Sequence, residues 1–360
     1  MENFESMNWE NLPTPAEYEK ELKKIRRSLR KRNSLIVLTS LVLAAALLFG
    51  TVQYGIPFLE SFYWDPRTVS FGTEKGTDLD MLLTAYSNLF CPTVDIRGTT
   101  VTHNGFASYS LTLQRWDEIH GVVSDSYGTL QKGELFLPSS IWKYAYGNQV
   151  GSFFMTDADS NAVNRRFFTE KLSQLPEYIQ IGAFITFTED RTIYKTLDFF
   201  DELCNGNWKR VNQTGRYWMA IRHGDEMGNE VRCGISFSES TSDYPEMNEY
   251  YPAFSPYHAY EELNHSYAAN SQYGPVYETH FKSILQYLDD QLNQGTGIPA
   301  PTLPSGESNP DFYSNTLSYV EQNGVMVYGC YIVSTPLTLL ELMDREDVLF
   351  VYPTEGWLNI

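Results

Sequence analysis

Between Arg32 and Glu60 the chain carries no charged side chain, and Leu35–Phe58 reads LIVLTSLVLAAALLFGTVQYGIPF. A helix needs roughly 20 apolar residues to cross about 30 Å of hydrocarbon, so this run is long enough to span a bilayer. Thr39, Ser40, Thr51 and Gln53 interrupt it only with uncharged groups, and a hydroxyl can bond back to the helix backbone. A cleaved secretory signal has an apolar stretch of only ~7–15 residues, followed by a small-residue cleavage site. Here the stretch is longer and Ala44–Ala46 lie inside it. An uncleaved anchor is therefore expected. Tyr178–Phe187 and Val325–Val333 are apolar runs of strand length, too short for a second crossing.

The span divides the charge unequally. Residues 1–34 hold eight basic and six acidic side chains, a balance of +2, with all eight basic ones between Lys20 and Arg32. The rest of the 360-residue chain holds 18 basic and 39 acidic, so the total of −19 conceals a body at −21. Basic residues flanking a span favour the cytoplasmic side. The sequence thus predicts a cell-membrane protein with a cytoplasmic N-terminus and a C-terminal body outside. A body this acidic excludes nucleic acid as its partner, because phosphate binding needs a basic surface. Its 25 Tyr and 21 Phe supply ample core material, and four Cys are too few for a disulfide scaffold.

Thr14-Pro15-Ala16-Glu17 reads as a helix start: a capping Thr, Pro at the first helical position and Glu to close the capping box. No breaker follows until Gly50, so the helix is expected to run straight into the span. Ahead of the span, Tyr18, Leu22, Ile25 and Leu29 recur at spacings of 4, 3 and 4 and share one face. Phe4, Met7, Trp9 and Leu12 lie upstream. A 34-residue segment cannot bury a core of its own, so the stripe requires something to pack on. Three occupants fit: the groove of a cytoplasmic protein, anionic lipid headgroups, or a second copy in a short coiled coil. With no Cys or His, the segment cannot form a Cys/His zinc site.

Beyond the span, residues 59–75 read as a linker with turn signals at Trp64, Asp65, Pro66 and Gly72. Leu79–Leu89 suits a short helix, and Thr100–Arg115 a hairpin turning at Asn104-Gly105. Strands are expected at Tyr178–Thr188, Arg216–Arg222 and Val231–Phe237, and helices at Ile193–Cys204 and Val276–Leu292. Residues 239–274 and Thr296–Pro310 read as loops, and Leu317–Glu321 as a turn of helix. The end is a compact βαβ: strand Val325–Val333, helix Leu337–Met343 behind Ser334-Thr335-Pro336, and strand Val348–Tyr352. The class expected is α+β, or α/β.

The chemical motifs are sparse. Ser140-Ile141-Trp142-Lys143 matches S-x-x-K, but Lys195-Thr196-Leu197 lacks the glycine of the accompanying K-T-G. Gly234-Ile235-Ser236-Phe237-Ser238 lacks the second glycine of a nucleophile elbow. His258, Glu261 or Glu262, and His265 would share a face if helical, a spacing that suits a divalent ion; a solvated polar loop is the plainer reading. Cys204 and Cys233 could pair on the oxidising side. No catalytic constellation emerges, so neither an enzyme nor a cofactor is expected.

The two ends of the chain together carry a resemblance. One end is Glu-Lys-Glu-Leu-Lys-Lys-Ile-Arg-Arg (19–27), Arg30-Lys31-Arg32, the single span, Asp65-Pro66 and the apolar stretch to Leu89 with Pro92. The other is Leu175-Pro176-Glu177, Trp218-Met219-Ala220-Ile221, Gly234-Ile235-Ser236-Phe237, Phe281–Leu288, Val325-Met326-Val327-Tyr328-Gly329 and Thr335-Pro336-Leu337 with Leu339-Leu340. In these the chain resembles the membrane-anchored anti-sigma factors of Gram-positive bacteria that have sigma-factor-regulator N- and C-terminal domains. The likeness covers most of 19–60 and 172–353; residues 95–170 and the 239–274 insert fall outside it. It implies a cytoplasmic arm (1–34) that holds an extracytoplasmic-function sigma factor through Trp9, Leu12, Tyr18, Leu22, Ile25 and Leu29. It further implies a transmembrane helix (35–58), a membrane-proximal region (59–171), and a sigma-regulator-like domain (172–360) that senses the envelope or binds a second membrane regulator. A membrane-anchored envelope module recognising glycan or protein is the alternative. An envelope enzyme using Ser140 and Lys143 is a third reading.

Overall fold

The computed structural model describes residues 14–68, 77–117, 122–137, 158–204, 217–224, 232–237, 250–254, 274–298, 300–301 and 308–358. Contacts divide the chain into two units, Met1–Phe62 and Tyr63–Ile360.

The first unit is helical from Pro15 to Glu60, 46 residues in all, and is long and apolar enough to cross a membrane. It begins where the Thr-Pro-x-Glu signal places it, as α1 (Pro15–Gly50). The Glu17 carboxylate accepts the Thr14 backbone N–H at 3.0 Å and its hydroxyl at 2.9 Å. Inside the apolar run the hydroxyls turn back on the backbone as expected, Thr39 donating to the Ile36 carbonyl and Thr51 to that of Leu47. The helix does not stop at Gly50. A π-helical turn, Thr51–Gly55, leads into α2 (Ile56–Glu60), with the Ile56 N–H bonded to the Thr51 carbonyl. Pro57 accounts for the widened turn. Its ring crowds the carbonyl four residues back and offers no N–H, and a π-bulge absorbs that mismatch without breaking the helix.

The second unit contains two antiparallel sheets among the described residues. The first is a meander: β1 (Val94–Gly105), β2 (Ser108–Asp117), β3 (Val122–Gln131) and β4 (Glu134–Phe136). The expected hairpin is present, but it turns at Phe106-Ala107, since Gly105 pairs with Ser108. Gly105 and Ala107 take φ of 138° and 43°. The inward alternation of Tyr109, Leu111 and Leu113 sets this register, because a one-residue slip would turn them all to solvent. β3 and β4 meet at Lys132-Gly133, both with positive φ, as a type I′ hairpin requires.

The second sheet has the order β7-β6-β8-β5-β9. Its strands are β5 (Ile179–Thr192), β6 (Tyr217–Ile221), β7 (Cys233–Phe237), β8 (Met326–Ser334) and β9 (Val348–Leu358). Every pairing is antiparallel, so the unit is α+β and the α/β alternative falls. The closing βαβ is corrected in the same way. α8 (Pro336–Met343) does connect β8 to β9, but β5 lies between them and pairs with both. Thr335 caps α8 by accepting the Thr338 N–H at 3.3 Å, with Pro336 at the first helical position.

Helices cover the sheets. α3 (Asp78–Phe90) packs on both β1 and β7. Its Asp80 accepts the Thr77 N–H at 2.8 Å and also the Thr99 hydroxyl, which ties the helix start to β1. α5 (Ile193–Cys204) lies against β5, and α6 (Gly274–Asn293) packs between α3, α5 and α7 (Phe312–Asn323). α4 (Ala158–Leu172) sits near α8 and β9. Only one turn was expected where α7 forms. Its Ser- and Asn-containing sequence has weak helix propensity, which burial of Phe312, Tyr313, Thr316 and Val320 overrides. The main hydrophobic core runs through these elements, from Leu79 on α3 to Val351 on β9, and a second, smaller cluster gathers Phe184, Trp218, Ala220, Tyr328, Tyr331 and Val333.

Candidate functional site: an exposed helical arm

α1 places four of the six expected partner-binding residues. Tyr18, Ile25 and Leu29 are 58%, 54% and 50% exposed, and Leu22 is half-buried. No residue of α1 is buried. Trp9 and Leu12 lie outside the described residues. At 100° per residue, Lys20, Lys23, Lys24, Arg27, Arg30 and Lys31 fall on the far side of the helix from the stripe. The Lys23–Glu19 pair at 3.8 Å is fully solvated and contributes little. The arm therefore has an apolar face and a basic back.

α1 runs through the boundary between arm and span without a break. A helix lying flat on headgroups would have to bend between Arg32 and Leu35. A straight one leaves the membrane along the axis of its span, and the 20 residues from Pro15 to Ser34 reach about 30 Å at 1.5 Å each.

In the second unit, the chemical candidates Ser140, Lys143, His258, Glu261, Glu262 and His265 lie outside the described residues. So does the side chain of Cys204, and with it the Cys204–Cys233 pairing. Among the described residues no three His, Cys, Asp or Glu side chains gather as a metal site would. Two charged clusters stand out among the described residues. Arg345 and Arg191 both bond Asp347, at 2.8 and 2.9 Å. The Arg345 hydrogen bond leads in holding the Asp347 carboxyl down at about 2. The same two guanidinium groups lie over Phe199 and Phe187, 4.7 and 4.1 Å from the ring centroids. Burial, reinforced by Asp198, pushes Asp201 on α5 up to about 6.

Sequence reasoning missed a buried polar cluster on α3 and α6. Asn88 on α3 accepts the Ser236 N–H from the outer edge of β7 at 2.6 Å. The Asn88 carbonyl accepts the Trp218 indole N–H at 2.9 Å, and its side-chain nitrogen lies 3.2 Å from His280 Nε2. His280 Nδ1 lies 3.0 Å from the Ala253 carbonyl. In a neutral tautomer with the proton on Nδ1, both ring contacts are satisfied. β7 is an edge strand among the described residues, and Asn88 bonds that edge from within the core. No motif announces it, because its members are 192 residues apart in the chain.

Burial drives the His280 pKa down to about 3. The unfolded chain takes up this proton below pH 6.5, whereas the folded chain does not until about 3. Stability is therefore fully present above pH 6.5 and falls as the pH drops toward 3, by up to about 1.4 kcal/mol per unit. Urea midpoints followed by tryptophan fluorescence between pH 7 and 4 should show this slope. His280→Gln should flatten it, whatever its effect at pH 7. An unchanged slope in the variant would assign the acid sensitivity to other groups.

No family model, curated protein or solved structure matches this chain.

Proposed function

We propose that this chain is a single-pass membrane regulator: an anti-sigma factor whose cytoplasmic arm sequesters an extracytoplasmic-function sigma factor. The observation that carries the reading is the exposed stripe Tyr18, Leu22, Ile25 and Leu29 on a helix continuous with the span. An amphipathic helix with anchors at this spacing suits a hydrophobic groove. The basic flank orients the arm to the cytoplasm and can also contact anionic headgroups at the membrane surface. On the other side, the α+β body would receive the envelope signal or dock a second membrane regulator. The arm regulates transcription through protein contact and uses no nucleic acid.

Capture tests this directly. Tagged full-length chain, solubilised from membranes of its own host, should bring down a sigma factor of the extracytoplasmic-function class, and a chain lacking residues 1–34 should not. Recovery of no sigma factor from either chain would remove the reading.

One observation favours the alternative envelope-binding module. Val123, Tyr127 and Phe136 are 52%, 71% and 52% exposed on the meander. Tyr127→Ala with Phe136→Ala should leave sigma capture intact. If the chain is instead a binding module, the same pair should abolish its retention on envelope material.

A further inference from the structure

The stripe does not end at the membrane. Counted in sevens along α1, one seam position is Leu22, Leu29, Ile36, Leu43 and Gly50, and the other is Tyr18, Ile25, Arg32, Thr39 and Ala46. In the arm both positions are apolar from Tyr18 to Leu29 between polar or charged neighbours, and the same register runs on through Arg32 and Thr39 into the uniformly apolar span on an unbroken helix, with no residue of α1 buried. A period of 3.5 is the condition for two helices to stay in contact by supercoiling. A soluble partner can cover only the part of the face that lies outside the bilayer. Lipid chains cover the span itself, so the case for a second copy of this chain rests on the arm's seam, on the charges that flank it and on the register that carries both into the membrane.

From this seam we infer that the chain pairs with itself as a parallel two-stranded coil running from Tyr18 to Gly50. Copies inserted with one topology must be parallel. In a parallel pair, the residue before one seam position faces the residue after the other, five places further along the partner. That sets Glu21 of one chain against Arg26 of the other and Ser28 against Asn33, an opposite-charge pair followed by a polar pair. Within the span, Thr39, Ala46 and Gly50 are small enough for the backbones to approach closely. The Thr39 hydroxyl is already satisfied within its own helix. Arg32 is the charged member of the seam, and it sits at headgroup level, where its long stem can carry the guanidinium outward. The inference rests on the membrane anchorage proposed above and not on the identity of the arm's ligand. Pairing and ligand capture would use the same four arm residues.

The test is cysteine cross-linking of the full chain in membranes of a heterologous bacterial host. The chain has no cysteine before Cys91, so the unsubstituted protein measures background. Under mild oxidation, Leu22→Cys, Leu29→Cys, Ile36→Cys and Leu43→Cys should each give a disulfide-linked dimer. Arg27→Cys, Leu41→Cys and Leu48→Cys, on the opposite face, should stay at background. Glu21→Arg should lower the Leu29→Cys dimer several-fold, and adding Arg26→Glu should restore it. Equal cross-linking on both faces would overturn the inference. So would dimers at 22 and 29 with none at 36 and 43, or a charge reversal that is not rescued. Because the heterologous host lacks the native ligand, failure here leaves the sigma-factor reading standing, and failure of sigma capture leaves the pairing standing.

Discussion

On the proposed anti-sigma function, Leu22→Asp combined with Ile25→Asp is expected to release the sigma factor and raise transcription of its regulon to the level seen without the chain. Each aliphatic side chain contributes roughly 1.5–3 kcal/mol when fully buried, and interface anchors in desolvated pockets sit at the upper end of such values. Losing two, and forcing two carboxylates into an apolar groove, costs at least about 4 kcal/mol. At 1.4 kcal/mol per tenfold, capture weakens on the order of 10³-fold. The helix itself tolerates the change, since both positions lie on a helix with no buried residue. Arg27→Asp, on the far side, should keep capture within a few-fold of the parent. A promoter fusion read beside a pulldown separates the outcomes. Unchanged transcription with the sigma factor still bound would mean that the stripe is not the contact.

A large loss of stability is expected from a side chain at Gly234. A Cβ there would stand 2.1 Å from the Met219 carbonyl oxygen and 2.5 Å from the Trp218 ring. Neither can yield. Met219 is paired on both sides within the sheet, through β7 and β8. Trp218 is 1% exposed and held through its indole to Asn88. Gly234→Ala must therefore separate β6 from β7 or expel the indole, at a cost of more than about 3 kcal/mol. Against a total of about 5–15 kcal/mol for a native domain, that is enough to leave the body partly unfolded. Gly98→Ala is the matched control, since no atom lies within 4 Å of its added methyl. Urea midpoints should fall sharply for the first and stay within about 0.5 kcal/mol for the second. Equal midpoints would show that the sheet opens more readily than its packing implies.

Gly234 also shows where sequence and structure part. Read along the chain, it begins a Gly-Ile-Ser-Phe stretch that partly imitates a nucleophile motif. In the folded unit it is the gap into which a tryptophan from the next strand fits. The buried Asn88–His280 contact was likewise invisible, since neither residue has a local signal. β3 escaped notice because Val122–Gln131 is rich in Ser, Gly and Thr, and α4 because its apolar residues do not form a clear stripe. Elements with strong local chemistry were legible to within a few residues. α8 follows its Thr-Pro start, α6 its 3.6-residue apolar period, and β5 and β8 their uninterrupted apolar runs.

By itself, the sequence determined the uncharged apolar run of 35–58, the capped start of the helix that leads into it and the stripe on its arm. Each follows from short-range rules: hydrogen bonding within a turn, spacing on one face, and the absence of charge over a membrane's width. Tertiary structure alone decided that β5 inserts between β8 and β9, that α3 caps the edge of β7, and that every strand pairing among the described residues is antiparallel. Those outcomes depend on which distant apolar surfaces cover one another, and no local spacing encodes that choice.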